Sequence, residues 1–373
     1  MTSTRFQLPK ATPTEVVEGA LRKHAATWIQ RFYRHDLLVA RTVRGLQADA
    51  VETFRIEVVG PVIRQLAAQL AEFPDRGADI AINSSPQLRR MIEQAEAIVR
   101  AGVEKLERDV QAGLREVVGQ ETLWVQESAQ KVLKLPEARR VDPAQVWNVV
   151  ISRPYLGGQV QEWFDSFVGG DNGAVDNIRY AVQTGIQRGW STDETVRALR
   201  GTKAGKFADG LLTREQPAQL YALVRTAATH ASTAAREASF EQLGVDRYRF
   251  IATLDSRTSI QCAANDGKIF EMGKGPLPPL HPNCRSTIVP YIGEPIGNRA
   301  SVDGPVPAET NFRGWLEGQP ISVQNEVLGP TRAAAWRAGD LSFEDMVGRD
   351  LTPLSVQRLR ELDRIPNDDD DEE

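Results

Sequence analysis

The reading of the fold turns on RYRFIATLDSRTSIQCAANDGKIFEMGKGPLPPLHPNCRSTIVPY, residues 247–291. RYRFIAT alternates in a β-prone pattern, KIF is a second short β-prone piece and STIVPY a third, so a small sheet is predicted here. Between these pieces the chain is stiff and irregular, rich in proline and glycine. It also holds Cys262, His281 and Cys284, in a protein with two cysteines and four histidines in all. An H-x-x-C step closes the run, with eighteen residues between Cys262 and His281.

Two thiolates and an imidazole are ligands that zinc accepts, although a structural zinc site takes four protein ligands. Ser259 stands three residues before Cys262, where another cysteine would complete a C-x-x-C knuckle. Asp255, Asp266, His230 or a water is then the candidate fourth ligand. Three readings stay open: a zinc site, two reduced thiols packed in a small core, and a Cys262–Cys284 disulfide. Each makes the segment a staple for a region too short and irregular to bury much apolar surface.

Three ligands and a water are also the catalytic zinc pattern, but such a site needs a carboxylate base or a second placed histidine. His230 is the one further histidine in this half of the chain. No nucleophile elbow surrounds a serine, and neither GLLTREQ nor GKGPLPPL has the spacing of a phosphate-cradling loop. No catalytic residues are therefore assigned, and the chain is expected not to be an enzyme. In TLDSRTS, Asp255 and Thr258 are predicted to cap a turn, with Arg257 and Arg285 pairing to Asp255, Asp266 or a carbonyl.

Upstream, TREQPAQLYALVRTAATHASTAAREASFEQLG reads as one long helix over 213–244, opened by a Thr213/Gln216 capping box and stopped at Gly244. Leu220, Leu223, Val224, Ala227, Ala231, Ala234 and Ala238 make a close-packing face. Opposite lie Arg225, Thr229, His230, Thr233 and Arg236, read as a solvated stripe or, at Arg225 and His230, as facing the Cys/His loop, with Arg225, Thr229 and Arg236 as partner-facing candidates. Ser191 with Glu194 predicts a second capping box, on a short helix closed by Gly201.

Apolar spacing near 3.6 predicts helix from Val16 to Val59, a break at Gly60-Pro61, helix again to Phe73, and another from Gln87 to Val118. The expected class is α+β and predominantly α. A helical region (1–150) precedes a helix-plus-small-sheet core with a Cys/His knuckle (151–305), a helical unit (306–365) and a disordered acidic tail (366–373). Residues 293–309, rich in Gly and Pro, are read as a linker.

The net charge is −5, and Asp368–Glu373 alone supply −6, so the body carries about +1. That excludes a strongly basic nucleic-acid binder as the default. No signal peptide and no apolar run long enough for a membrane span is found, which predicts a chain made and kept in a cytosol.

The ordered run D-x-R-T-S-x-x-C, then D-G-K-x-F, then P-P-x-H-P-N-C-R-S resembles the phage Mu F-like minor head proteins, the phage head morphogenesis family. The likeness runs over about residues 150–350 and includes the Arg225-Thr226 pair. It gives structural weight to Asp255, Arg257, Thr258, Gly267, Pro279, Pro282 and Arg285. It implies a minor capsid protein of a tailed double-stranded DNA phage, present as an oligomer or in few copies per virion at the portal vertex. Portal protein, the major capsid and scaffold assembly, and in some members DNA are the implied partners, with no membrane. The implied location is the host cytoplasm during assembly and then the virion. Some relatives have cysteine at the position of Ser259. A zinc-dependent nuclease or hydrolase and a DNA-binding packaging accessory are the alternatives.

Overall fold

A computed structural model describes residues 15–73, 85–133, 141–293 and 297–366. The elements run α1 (Glu15–Phe54), a π-helical turn (Arg55–Val59), α2 (Gly60–Ala71), α3 (Pro86–Leu133), α4 (Pro143–Ser152), α5 (Val160–Gly169), α6 (Ala174–Gln187), α7 (Thr192–Arg200) and α8 (Leu211–Gln242). Then come β1 (Arg247–Ile251), α9 (Ile260–Asn265), β2 (Ile269–Glu271), β3 (Thr287–Pro290), β4 (Asn298–Ser301) and β5 (Gly304–Pro307). Four short helices follow: α10 (Phe312–Glu317), α11 (Ile321–Leu328), α12 (Pro330–Ala338) and α13 (Val356–Glu361). The fold is α+β and predominantly α, as the sequence predicts. No helix among the described residues is long and apolar enough to cross a membrane. The acidic tail from 367 and the break at 74–84 lie outside the described residues.

The chain divides into two compact units, one of Met1–Val39, Val118–Trp147 and Thr229–Glu373, the other of Ala40–Val117 and Asn148–Ala228. In the second unit the expected break at Gly60-Pro61 is not a break. Proline has no N–H for the helical ladder and its ring crowds the carbonyl four residues back. The backbone absorbs this by widening into the π turn, where Gly60 N–H reaches Arg55 O, and the helix then continues. Gly102 of α3 packs against this turn: a Cβ there would lie 2.5 Å from Val58 Cγ2 and 2.9 Å from the Glu57 carbonyl oxygen. Further along, α3 does not stop at Val118. Val125, Ala129 and Leu133 are buried, and that burial outweighs the cost of about 1 kcal/mol for Gly119 inside a helix.

The Ser191/Glu194 capping box forms as the sequence predicts, and Gly201 ends α7. The Thr213/Gln216 box does not. Helix α8 begins two residues earlier, Thr213 Oγ1 donates to Arg200 O at 3.0 Å, and the buried Gln216 donates to Asn172 O at 2.9 Å.

In the first unit, β1 is the central strand of an antiparallel sheet ordered β2-β1-β3. Tyr248 pairs with Phe270 on one side and with Pro290 on the other. Tyr248, Ile288 and Val289 join Trp28, Phe32, Val125 and Phe240 in one apolar core. A second core gathers Phe312, Trp315, Leu328, Trp336 and Phe343 around Leu254. The stretch read as a linker is a β-hairpin: Asn298 pairs with Pro307 and Arg299 with Val306. Gly and Pro composition masks it because each strand is only four residues long.

Candidate metal centre

Asp255 builds the turn after β1. Its Oδ1 accepts from the backbone N–H of Arg257 at 3.1 Å and from Thr258 Oγ1 at 3.3 Å, an Asx-type turn. Ser259 then caps α9, its hydroxyl accepting from Cys262 N–H at 3.4 Å. The serine that stands where a cysteine would complete C-x-x-C thus orients the helix that carries Cys262. Gly267, at φ +80°, turns the chain out of α9 and donates its N–H to Phe250 O at 2.9 Å. Gln261 reaches Leu280 O at 2.6 Å and holds the proline loop, in which Pro279 is buried, against the helix.

These ties bring Cys262, His281 and Cys284 together, with their ligand atoms all within 4.8 Å of one another. The two free thiols are buried and their sulfurs lie 3.7 Å apart. Two sulfurs each bound at 2.3 Å to a tetrahedral ion would be about 3.8 Å apart, so the spacing fits a shared metal. His281 Nδ1 donates to Pro282 O at 2.8 Å, which leaves Nε2 with the lone pair a ligand needs. The donor set and its spacing therefore fit a zinc-type ion. The thiols also pack with Phe250 and Ala252 in a small apolar cluster.

Electrostatically the two thiols are driven apart. The hydrogen bond to Cys284, reinforced by burial, pushes Cys262 well above its ordinary value. The hydrogen bond from Cys262, helped by His281, holds Cys284 well below its own against the opposing effect of burial. Burial works against a charged imidazole at His281, yet the neighbouring Cys284 overrides it and raises that group.

The three candidate fourth ligands do not join the cluster. Asp255 is gripped by both terminal guanidinium nitrogens of Arg285, with Nη2 to Oδ1 at 2.6 Å. Burial would raise the Asp255 carboxyl, but Arg285 and the Arg257 N–H hold it below the ordinary range. Asp266 accepts from Arg299, from the Ala252 N–H at 2.6 Å and from the Phe312 N–H at 2.6 Å. His230 is buried in α8 and lies outside the group. Pro282 is exposed.

The stripe of α8 read as solvated is largely enclosed, because its polar groups meet partners distant in sequence. Thr229 donates to Cys284 O at 2.8 Å, tying the helix to the knuckle. Arg236 is fully buried, bonding Glu121 and Asp36 at 2.7 Å each and donating to Thr287 Oγ1 and Ile288 O. Arg236 is therefore not partner-facing in the folded chain. Arg225, half-buried in the other unit, donates to Gln47 at 2.8 Å. The buried ion pairs of Arg299 and Glu121 were not legible in the sequence. Arg299 sits in what reads as a linker, and Glu121 is one acid among many on a long helix.

Residues 176–289 match the family model described as Phage Mu protein F like protein. That span takes in all three members of the Cys–His–Cys group and stops at β3. A Haemophilus influenzae protein, described as an uncharacterized protein, is 24% identical over 199 residues. The aligned stretch is 50% of this chain and 42% of that relative, so the chain spans less than half the relative's length. No solved structure matches the chain.

Proposed function

We propose that this Mu F-like chain is a minor head protein of a tailed double-stranded DNA phage, acting at the portal vertex during procapsid assembly and in DNA delivery. In this reading residues 151–305 form the head-morphogenesis core, and the chain passes from the host cytoplasm into the virion in few copies. The observation that carries it is how the motif uses its polar side chains. Asp255 closes on Arg285, Asp266 on Arg299, Gln261 on Leu280 O and Thr229 on Cys284 O. Groups spent on bracing hold a rigid surface for docking, which is what an assembly protein requires.

Cys262, His281 and Cys284 would hold one zinc ion, which would supply a cross-link between α9 and the 281–284 loop. The test is co-expression of the full chain with its cognate portal protein. Co-purification with portal or procapsid is the expected result, and persistent separation from both would overturn the reading.

A further inference from the structure

With a metal held as read above, Cys262, His281 and Cys284 fill three positions and leave a tetrahedral ion one ligand short. Neither nearby carboxylate supplies it. Asp255 is committed to Arg285, and the Asp266 side chain is enclosed by Arg299 and two backbone amides. Among the described residues, the group able to hold a metal contains no fourth member.

A narrow cleft with about 10 Å³ of free space borders the cluster, and Cys262 and His281 line it together with Ser259, Ser286, Arg257 and Arg285. Its free space is close to that of a single water-sized group. The Ser259 and Ser286 hydroxyls are already turned to Cys262. Of the two arginines, Arg285 is closed on Asp255. The Arg257 side chain is 79% exposed and approaches Asp255 no nearer than 3.6 Å. A small opening beside the cluster, walled by hydroxyls and overlooked by one loosely held guanidinium, suits an anionic oxygen ligand. One anionic oxygen fits the space, and in a carboxylate its twin can meet a guanidinium.

We propose that the fourth position is completed from outside the knuckle by a carboxylate that enters this cleft and is drawn there by Arg257. The carboxylate comes from a free organic acid or from an Asp or Glu side chain of a partner polypeptide.

The experiment loads the full chain with cobalt(II) as a visible stand-in for zinc and follows its absorption as acetate, or a short Asp/Glu peptide, is added. The thiolate-to-metal band is expected to persist while the ligand-field bands shift and saturate. Arg257→Ala is expected to keep one cobalt per chain and to need about two- to fivefold more carboxylate for half-saturation, the scale of an exposed ion pair. Saturation by the peptide below the acetate concentration identifies a polypeptide source, and equal response identifies a free acid. One bound cobalt whose spectrum ignores both additions, or an Arg257→Ala titration identical to the parent, overturns the proposal. A chain that takes up no cobalt overturns the metal reading itself and this site with it.

Discussion

Arg285 and Asp255 meet across thirty residues of chain, and both terminal guanidinium nitrogens bond the one carboxylate. The pair closes the loop that carries the proline run and both ends of the Cys–His–Cys cluster. Arg285→Lys keeps the charge but loses the fork, so a loss of about 1–3 kcal/mol in unfolding free energy is expected from urea melts. Because the Asp255 carboxyl is depressed in the folded chain, this stabilisation is complete above its ordinary value of 3.8 and fades as pH falls below it. An Arg285→Lys chain as stable as the parent at neutral pH would contradict the brace.

Arg236 sits fully buried between Glu121 and Asp36, with His35 on the other oxygen of Glu121. Arg236→Met strands Glu121 in the core, and about 3–5 kcal/mol is the expected loss. The double variant Arg236→Met/Glu121→Gln is expected to recover part of it, since it removes the uncompensated charge. Equal losses in the single and double variants would show that packing over Phe32, not charge pairing, is what Arg236 provides.

Acid sensitivity follows from the same cluster. Burial favours the neutral form of Glu121, but Arg236 and His35 overcome it and hold the carboxyl at about 2, against an ordinary 4.5. The folded value lies below the unfolded one, so the stabilisation is complete above pH 4.5 and disappears as pH falls toward 2. Thermal melts from pH 6 to pH 2.5 are expected to fall more steeply for the parent than for Glu121→Gln. Parallel curves would count against a buried ionised Glu121.

Gly102→Ala tests the π turn. The added methyl would overlap Val58 and the Glu57 carbonyl, and about 1–3 kcal/mol of destabilisation is expected. Gly45→Ala is the control, because nothing lies within 4 Å of a Cβ built there, and it is expected to be neutral or slightly stabilising. Equal behaviour of the two would show that α3 does not need its close approach at Gly102.

Features set by neighbours in sequence were legible before the structure. The Ser191/Glu194 cap and the Asp255 turn rest on contacts a few residues long, and the three strands around Cys262 show as short β-prone runs although their partners lie farther along the chain. The same local pattern misled at Thr213/Gln216, where Asn172 and Arg200 compete for the side chains. What was not legible depends on distant partners. The α8 stripe looks solvated until Glu121, Asp36 and Cys284 O are brought against it from 115, 200 and 55 residues away. Arg299 reads as linker until Asp266, 33 residues back, closes on it. Among the metal candidates, residue types pointed to Cys262, His281 and Cys284. The alternatives Asp255 and Asp266 fell away only once their arginines were in place.

The most direct test of the brace is native mass spectrometry of the full chain with its metal retained, for the parent and for Cys284→Ala. One zinc per parent chain, absent from Cys284→Ala, is the expected result. A folded parent chain that carries no metal while both thiols remain reduced would contradict it.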